Sequence, residues 1–297
     1  MTASYRTVDV PVRGGDLRVG IWGDDTPDAP TVVAVHGVTA SHLAWQLVAD
    51  ALPGVRIVAP DLRGRGRSNE LTGPAGMAAH ADDLAAVVAH LDIPAGLVVG
   101  HSMGGFVAVA FAHRHPHLLS RLLLVDGGLP LSTPPGLSGD QLVAAILGPT
   151  AERLSMRFPD LDAYLALWRA HPAFAADWTA ELEAYLAYDL VPDGARLRPA
   201  TSYRTTLEDT VDLNTGSTVT DALGALAHPT RLVTVPRGLR NEEPGLYAPD
   251  HLDRLLGTYR AVRHERWEGL NHYTVVMSEP GAGRVAAAVR EELSALG

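Results

Sequence analysis

The run Gly96-Leu97-Val98-Val99-Gly100-His101-Ser102-Met103-Gly104-Gly105 restricts the folding of this chain more than any other part of it. An apolar stretch of strand length passes without a spacer into a Gly-flanked serine, and a helical pattern over residues 103–113 begins at once. A chain changes from strand to helix in so few residues only through a sharp turn, and the serine at its tip must take a strained backbone conformation. Glycine at positions 100 and 104 removes the side chains that would collide there. The hydroxyl is then held above the strand end, and the Met103 amide points to where a negative oxygen could be stabilised by the helix N-terminus.

Units of the same kind surround this one. Residues 5–13 and 17–22 read as an opening hairpin about Gly14 and Gly15, followed by an Asp/Pro-rich loop over residues 24–30. Apolar runs TVVAVHG, VRIVAPD, RLLLVD and TRLVTVP, with a further strand over 262–267, alternate with helical patterns over 44–51, 77–91, 250–257 and from residue 279. Unbroken apolar strands alternating with helices predict a parallel sheet covered on both faces. No internal repeat or low-complexity tract interrupts the pattern.

Between RLLLVD and TRLVTVP lie roughly 100 residues without a strong strand signal, with helical patterns over 139–147, 151–157, 161–169 and 175–188. This is an inserted helical module. It holds Tyr164, Trp168, Phe174, Trp178, Tyr185, Tyr188 and Tyr203. Such aromatics suit a roof over an apolar pocket, with Trp168, Trp178 and Tyr185 as candidate lining residues, or they form the module's own core.

Composition removes several chemistries. The chain of 297 residues has a net charge of −10, and its 24 basic residues are all Arg and are scattered, so a nucleic-acid partner is not expected. Without Lys there is no Schiff-base former, and without Cys there are no disulfides, thiolate metal sites or thiol nucleophiles. The N-terminal residues show no leader pattern, and apolar runs such as 106–112 are too short to span a bilayer, so a cytoplasmic protein without a membrane partner is expected. Oligomeric state is not legible in the sequence.

With His36-Gly37 after the third strand, Asp61-Leu62-Arg63-Gly64-Arg65-Gly66-Arg67-Ser68 after the fourth, Gly100-His101-Ser102-Met103-Gly104, and Gly269-Leu270-Asn271-His272-Tyr273 near the end, the chain resembles the α/β-hydrolase family over nearly its whole length. The resemblance implies a mostly parallel eight-stranded sheet flanked by helices, with residues 1–128 and 226–297 as the core and 129–225 as an inserted helical cap. It implies the backbone N–H of Val38 as a second oxyanion donor beside Met103, a bracing role for His36, and a structural turn at Arg63, Arg65 and Arg67, whose charges could otherwise bind a substrate anion. No cofactor and no metal is implied.

In such a fold the chain order is serine, acid, histidine, with the histidine on the loop after the last strand. His272 lies there, His264 falls within the strand, and His113, His115 and His117 end the helix after Ser102. The third member departs from pattern. Where the family places its acid after TRLVTVP, this chain reads Gly238-Leu239-Arg240-Asn241, and Asn carries no negative charge. Asp126 at the end of RLLLVD, on a rigid strand edge at the same face as Ser102, is one replacement; Glu242 or Glu243 is another. Asp126 could instead cap a turn with Gly127 and Gly128.

A serine, a histidine base and two amides support acyl transfer to water from a carboxylic ester or lactone of a small apolar molecule. Thioester hydrolysis, carbon–carbon bond hydrolysis or lyase chemistry on the same residues, and a ligand receptor that retains them, are the alternatives. A bare binding module has no use for the strained turn.

Overall fold

The computed structural model describes residues 4–23, 26 and 29–296. Residues 1–3, and Asp24, Asp25, Pro27 and Asp28 of the expected loop over 24–30, lie outside the described residues. The chain opens with β1 (Tyr5–Val12) and β2 (Gly15–Trp22), an antiparallel hairpin in which Val8 faces Val19 and Gly14 turns at φ 96°. Next come β3 (Thr31–Val35), α1 (Gln46–Asp50), β4 (Arg56–Pro60), α2 (Met77–His90), β5 (Gly96–His101), α3 (Met103–Arg114) and β6 (Leu119–Val125). The helix expected over 44–51 is shorter than its pattern, because a 3-10 turn (His42–Trp45) precedes α1 and Pro53 follows it closely.

Between β6 and Thr230 lie α4 (Gly139–Leu147), α5 (Pro149–Glu152), α6 (Leu161–Arg169), α7 (Ala180–Tyr188), the hairpin β7 (Leu190–Asp193) and β8 (Arg196–Pro199), α8 (Tyr203–Thr215) and α9 (Thr218–Gly224), whose Val219, Ala222 and Leu223 pack in the same layer as α3. The helix expected over 151–157 ends early because Phe158 turns out to exchange two backbone hydrogen bonds with Leu197. That expected over 175–188 starts only at Ala180, where the Thr179 hydroxyl accepts the Leu182 N–H at 3.1 Å. The β7–β8 hairpin and α8 are not visible as patterns in the sequence. The two strands have four residues each, and α8 carries four threonines, a poor helix composition offset by a Ser202 N-cap and by packing. The chain closes with β9 (Thr230–Thr234), α10 (Pro249–Thr258), β10 (Val262–Arg266), α11 (Thr274–Met277) and α12 (Glu279–Ser294).

Among the described residues, eight strands form one sheet in the order β1-β2-β4-β3-β5-β6-β9-β10, parallel from β4 onward, with β2 antiparallel to both of its neighbours. The central strands bury both faces. Val99, Leu123 and Val125 pack toward α1, α11 and α12, while Val98, Leu122 and Leu124 pack toward α2 and α3. Alternate residues therefore serve opposite layers, which explains why these strands read as unbroken apolar runs. No described helix is long and apolar enough to cross a membrane.

Helix α3 is the buried axis of one layer, with every residue from Met103 to Ala112 buried. Phe111→Ala, at a position with 0% exposure, is expected to lower unfolding free energy by about 3–5 kcal/mol, read as a shifted midpoint in urea titrations.

Candidate active site

The site begins at the turn from β5 to α3. Ser102 sits at φ 55° and ψ −125°, a conformation disfavoured for any residue with a Cβ. A Cβ on Gly100 would lie 2.2 Å from the Gly104 carbonyl oxygen, and one on Gly104 would lie 2.0 Å from that of Val35, so both positions admit only glycine. The turn is tied to the sheet by Ser102 N–H donating to Val125 O at 3.0 Å, and to its own helix by Gly105 N–H donating to Ser102 O at 2.9 Å.

Neighbouring strands bring the partners. His101 pairs with Val125 across β5 and β6, so the next residue on each strand, Ser102 and Asp126, leaves the sheet at the same level. Asp126 is fully buried at φ 46°, its N–H donates to Val233 O at 2.7 Å, and its Oδ1 accepts the Val235 N–H at 3.3 Å. His272 lies on the loop between β10 and α11, 3% exposed and anchored by its N–H to Arg237 O at 2.9 Å. Its Nδ1 is 2.7 Å from Asp126 Oδ2 and its Nε2 is 2.9 Å from Ser102 Oγ. A buried carboxylate, an imidazole and a hydroxyl thus form one hydrogen-bonded chain. Glu242 and Glu243 lie elsewhere: Glu242 is exposed and accepts the Arg240 N–H at 2.7 Å, and Glu243 is exposed as well.

Asn241, at the position where the family pattern has its acid, does other work. Its Oδ1 accepts from Asn271 Nδ2 at 3.2 Å, and Asn271 Nδ2 also donates to Ala173 O of the insertion at 2.9 Å. Asn271 Oδ1 in turn accepts the Tyr273 and Thr274 N–H groups, so the loop carrying His272 is held from both sides.

The His36-Gly37-Val38 segment runs directly over the serine. A Cβ on Gly37 would be 3.1 Å from Ser102 Cβ, a tight fit, and the next residue, Val38, stands at the edge of the site. His36 faces the other way: Nε2 accepts the Leu62 N–H at 2.9 Å and Nδ1–H donates to Gly37 O at 2.7 Å. Both of its nitrogens are therefore used in bracing. Arg63 forms a buried two-pronged pair with Asp83, both contacts at 2.8 Å, and Arg65 is fully buried. Arg67 donates to Tyr188 O at 2.9 Å and lies over the Tyr188 ring. All three arginines are bound to protein groups.

Residues 30–274 match the family model described as the alpha/beta hydrolase fold. The chain belongs to this family. It is similar to Lipase LipV of Mycobacterium tuberculosis, 37% identical over 116 residues, covering 39% of this chain and 43% of that one. It is also similar to the bifunctional esterase/perhydrolase DCH of Acinetobacter calcoaceticus, 35% identical over 132 residues, covering 42% and 47%. The chain spans less than half the length of these curated relatives, and 29% of three uncharacterized mycobacterial proteins that it also matches. Among solved structures it is similar to the Thioesterase Domain From Curacin Biosynthetic Pathway, with a TM-score of 0.74, 25% identity, and coverage of 97% of this chain and 99% of that one.

In this α/β-hydrolase chain Ser102 and His272 open into a cavity. Phe106, Leu246 and Met277 line it from the core, and Leu131, Ile146, Leu147, Tyr185 and Leu213 line it from the insertion. Val38 and Met103 are at its wall. Of the aromatics singled out in the sequence, Tyr185 lines the cavity, and burial pushes its hydroxyl pKa up. Trp168 does not line it, because its ring packs against Tyr164, Phe174 and Tyr273 in an apolar cluster shared with the sheet. Trp178 lies on an outer groove, where its Nε1–H donates to Glu183 at 3.2 Å. Thr210 of α8, with Leu213 and Asn214 one helical turn on, also lines the cavity and is not singled out by the sequence. Their spacing is a helical stripe, but the threonine-rich stretch carrying it does not read as a helix.

His101, beside the serine, donates Nε2–H to His272 O at 2.8 Å, and burial drives its pKa far down. Burial likewise lowers His36 to about 4. Between about pH 6.5 and 4 the unfolded chain binds a proton at His36 that the native chain does not. Stability from this group is thus complete above pH 6.5 and is lost as pH falls toward 4, by up to about 3 kcal/mol. Denaturant titrations between pH 7 and 4.5 should show this decline, and His36→Gln should make it shallower while the share due to His101 remains.

Proposed function

We propose that this chain is a serine hydrolase that cleaves a carboxylic ester or lactone of a small apolar molecule, with Ser102 as nucleophile, His272 as general base and Asp126 as the acid behind it. One observation carries the reading: the unbroken hydrogen-bonded chain from Asp126 Oδ2 through His272 to Ser102 Oγ at the wall of an apolar cavity. The curated relatives described as lipase and esterase support the reaction class.

In this mechanism His272 Nε2 takes the Ser102 proton as Oγ attacks the substrate carbonyl. Asp126 keeps Nδ1 protonated and stabilises the imidazolium that forms. The amides of Val38 and Met103 receive the developing oxyanion, the latter aided by the N-terminus of α3. His272 then delivers its proton to the leaving alcohol, and a water deprotonated by the same imidazole releases the acid.

Residues 129–225 serve as the cap in this reading, since they supply the apolar wall facing the nucleophile. The lining beside Ser102 is mostly apolar, with Phe106, Ile146, Leu147, Leu213 and Met277 in it, which suits a small apolar acyl group.

Thioester hydrolysis is the second reading, favoured by the full-length similarity to the curacin pathway thioesterase domain. A panel of short-chain esters, lactones and thioesters, compared by kcat/KM, decides between the two. Ser102→Ala should abolish labelling by a fluorophosphonate probe, and labelling that persists would place the nucleophile elsewhere. Asp126→Asn is expected to lower kcat by about 10³–10⁴, while Glu242→Gln leaves it near wild type. The reverse pattern would reassign the acid.

A further inference from the structure

Arg65 is fully buried in the turn after β4, at a place the mechanism above does not use. Its Nε donates to Val38 O at 2.8 Å, its Nη1 donates to Arg63 O at 2.9 Å, and its Nη2 donates to Met103 Sδ at 3.9 Å. Nη1 also makes an ion-pair contact with Asp209 Oδ2 at 2.5 Å. One guanidinium thus touches both residues whose amides are assigned to the oxyanion. Its planar fork permits this, because it offers five donors in fixed directions and never loses its charge in a protein.

Asp209 links this group to the substrate side. It is fully buried on α8, and its Oδ1 accepts the Gly76 N–H at 2.7 Å and pairs with His80 Nε2 at 2.9 Å. The charges of His80 and Arg65 help hold its pKa down at about 2 despite burial. Thr210, Leu213 and Asn214 of the same helix line the cavity, as does Asp209 itself. A helix that forms part of the substrate wall is therefore pinned to the guanidinium that holds the oxyanion loop.

We propose that Arg65 is the positioning residue of the Val38 oxyanion donor, and that Asp209 couples it to the wall of the acyl pocket. The inference rests on the assignment of the Val38 and Met103 amides made above. An oxyanion donor works only within about 2.7–3.1 Å of the charge it meets, and a displacement near 1 Å costs on the order of 100-fold in rate. Holding the Val38 carbonyl restrains the loop that carries its amide. The contact with Met103 reaches only its thioether, and the Met103 amide is held by the turn and by α3 itself.

The test uses the full chain, a short p-nitrophenyl ester and two inhibitors. Phenylboronic acid forms a tetrahedral adduct on a nucleophilic serine, while benzamide occupies the pocket without one. Arg65→Gln should lower kcat on the order of 10- to 100-fold with KM changed less than about threefold, and should weaken boronate binding in parallel while benzamide binding stays unchanged. Arg65→Lys should fall between, since an ammonium cannot reach all of these partners at once. Asp209→Asn should show a smaller loss with the same selectivity, and it decides the matter if Arg65→Gln does not fold.

Equal weakening of both inhibitors, or an unchanged kcat, would overturn the proposal. Ser102→Ala separates the two levels. If boronate binds that variant as well as wild type, the reading of Ser102 falls and the inference falls with it. If binding depends on Ser102 and ignores both Arg65 and Asp209, the inference alone falls.

Discussion

Everything at the candidate site depends on the close approach of two backbones, where β5 hands the chain to α3. The carbonyls of Gly104 and Val35 occupy the space that side chains at positions 100 and 104 would need. Ser102 is consequently held in a conformation that costs on the order of 1–3 kcal/mol. The buried apolar surface of α3 and the hydrogen bond to Val125 keep it there. Strain at one residue persists because its surroundings are over-determined.

Parallel register does the rest of the positioning. Asp126 follows Val125 just as Ser102 follows His101, and Val125 is paired in turn with Val233 of β9. The carboxylate is therefore set by three adjacent strands, with its own N–H bound to Val233 O. A flexible loop could not offer a carboxylate of equal rigidity. The loop carrying Glu242 lies at the surface, and there Asn241 helps to hold Asn271 instead.

Buried charge is balanced locally. Arg63 meets Asp83, and Arg65 meets Asp209, which also meets His80. Asp61 meets His42 at 2.7 Å and accepts from Tyr188 of α7 at 2.8 Å. Such pairs add little net stability, but removing one partner would leave an uncompensated charge in the interior. Two of them join the core to the insertion, and they place its helices relative to the sheet more definitely than apolar packing alone would.

The sequence by itself determined the alternating sheet-and-helix order, the glycine-bounded serine turn and the loop position of His272. Each is a local property: apolar runs of strand length, steric demands at single residues, and placement in chain order. Which carboxylate meets His272 was open among Asp126, Glu242 and Glu243, because that depends on how strands far apart in sequence are paired. The cavity wall was equally hidden. Trp168 and Trp178 are aromatic, as a roof residue would be, yet one is buried in an apolar cluster shared with the sheet and the other faces an outer groove. Thr210, Leu213 and Asn214 face the cavity from a helix with weak intrinsic propensity, which its Ser202 cap and tertiary packing form together and packing alone aims.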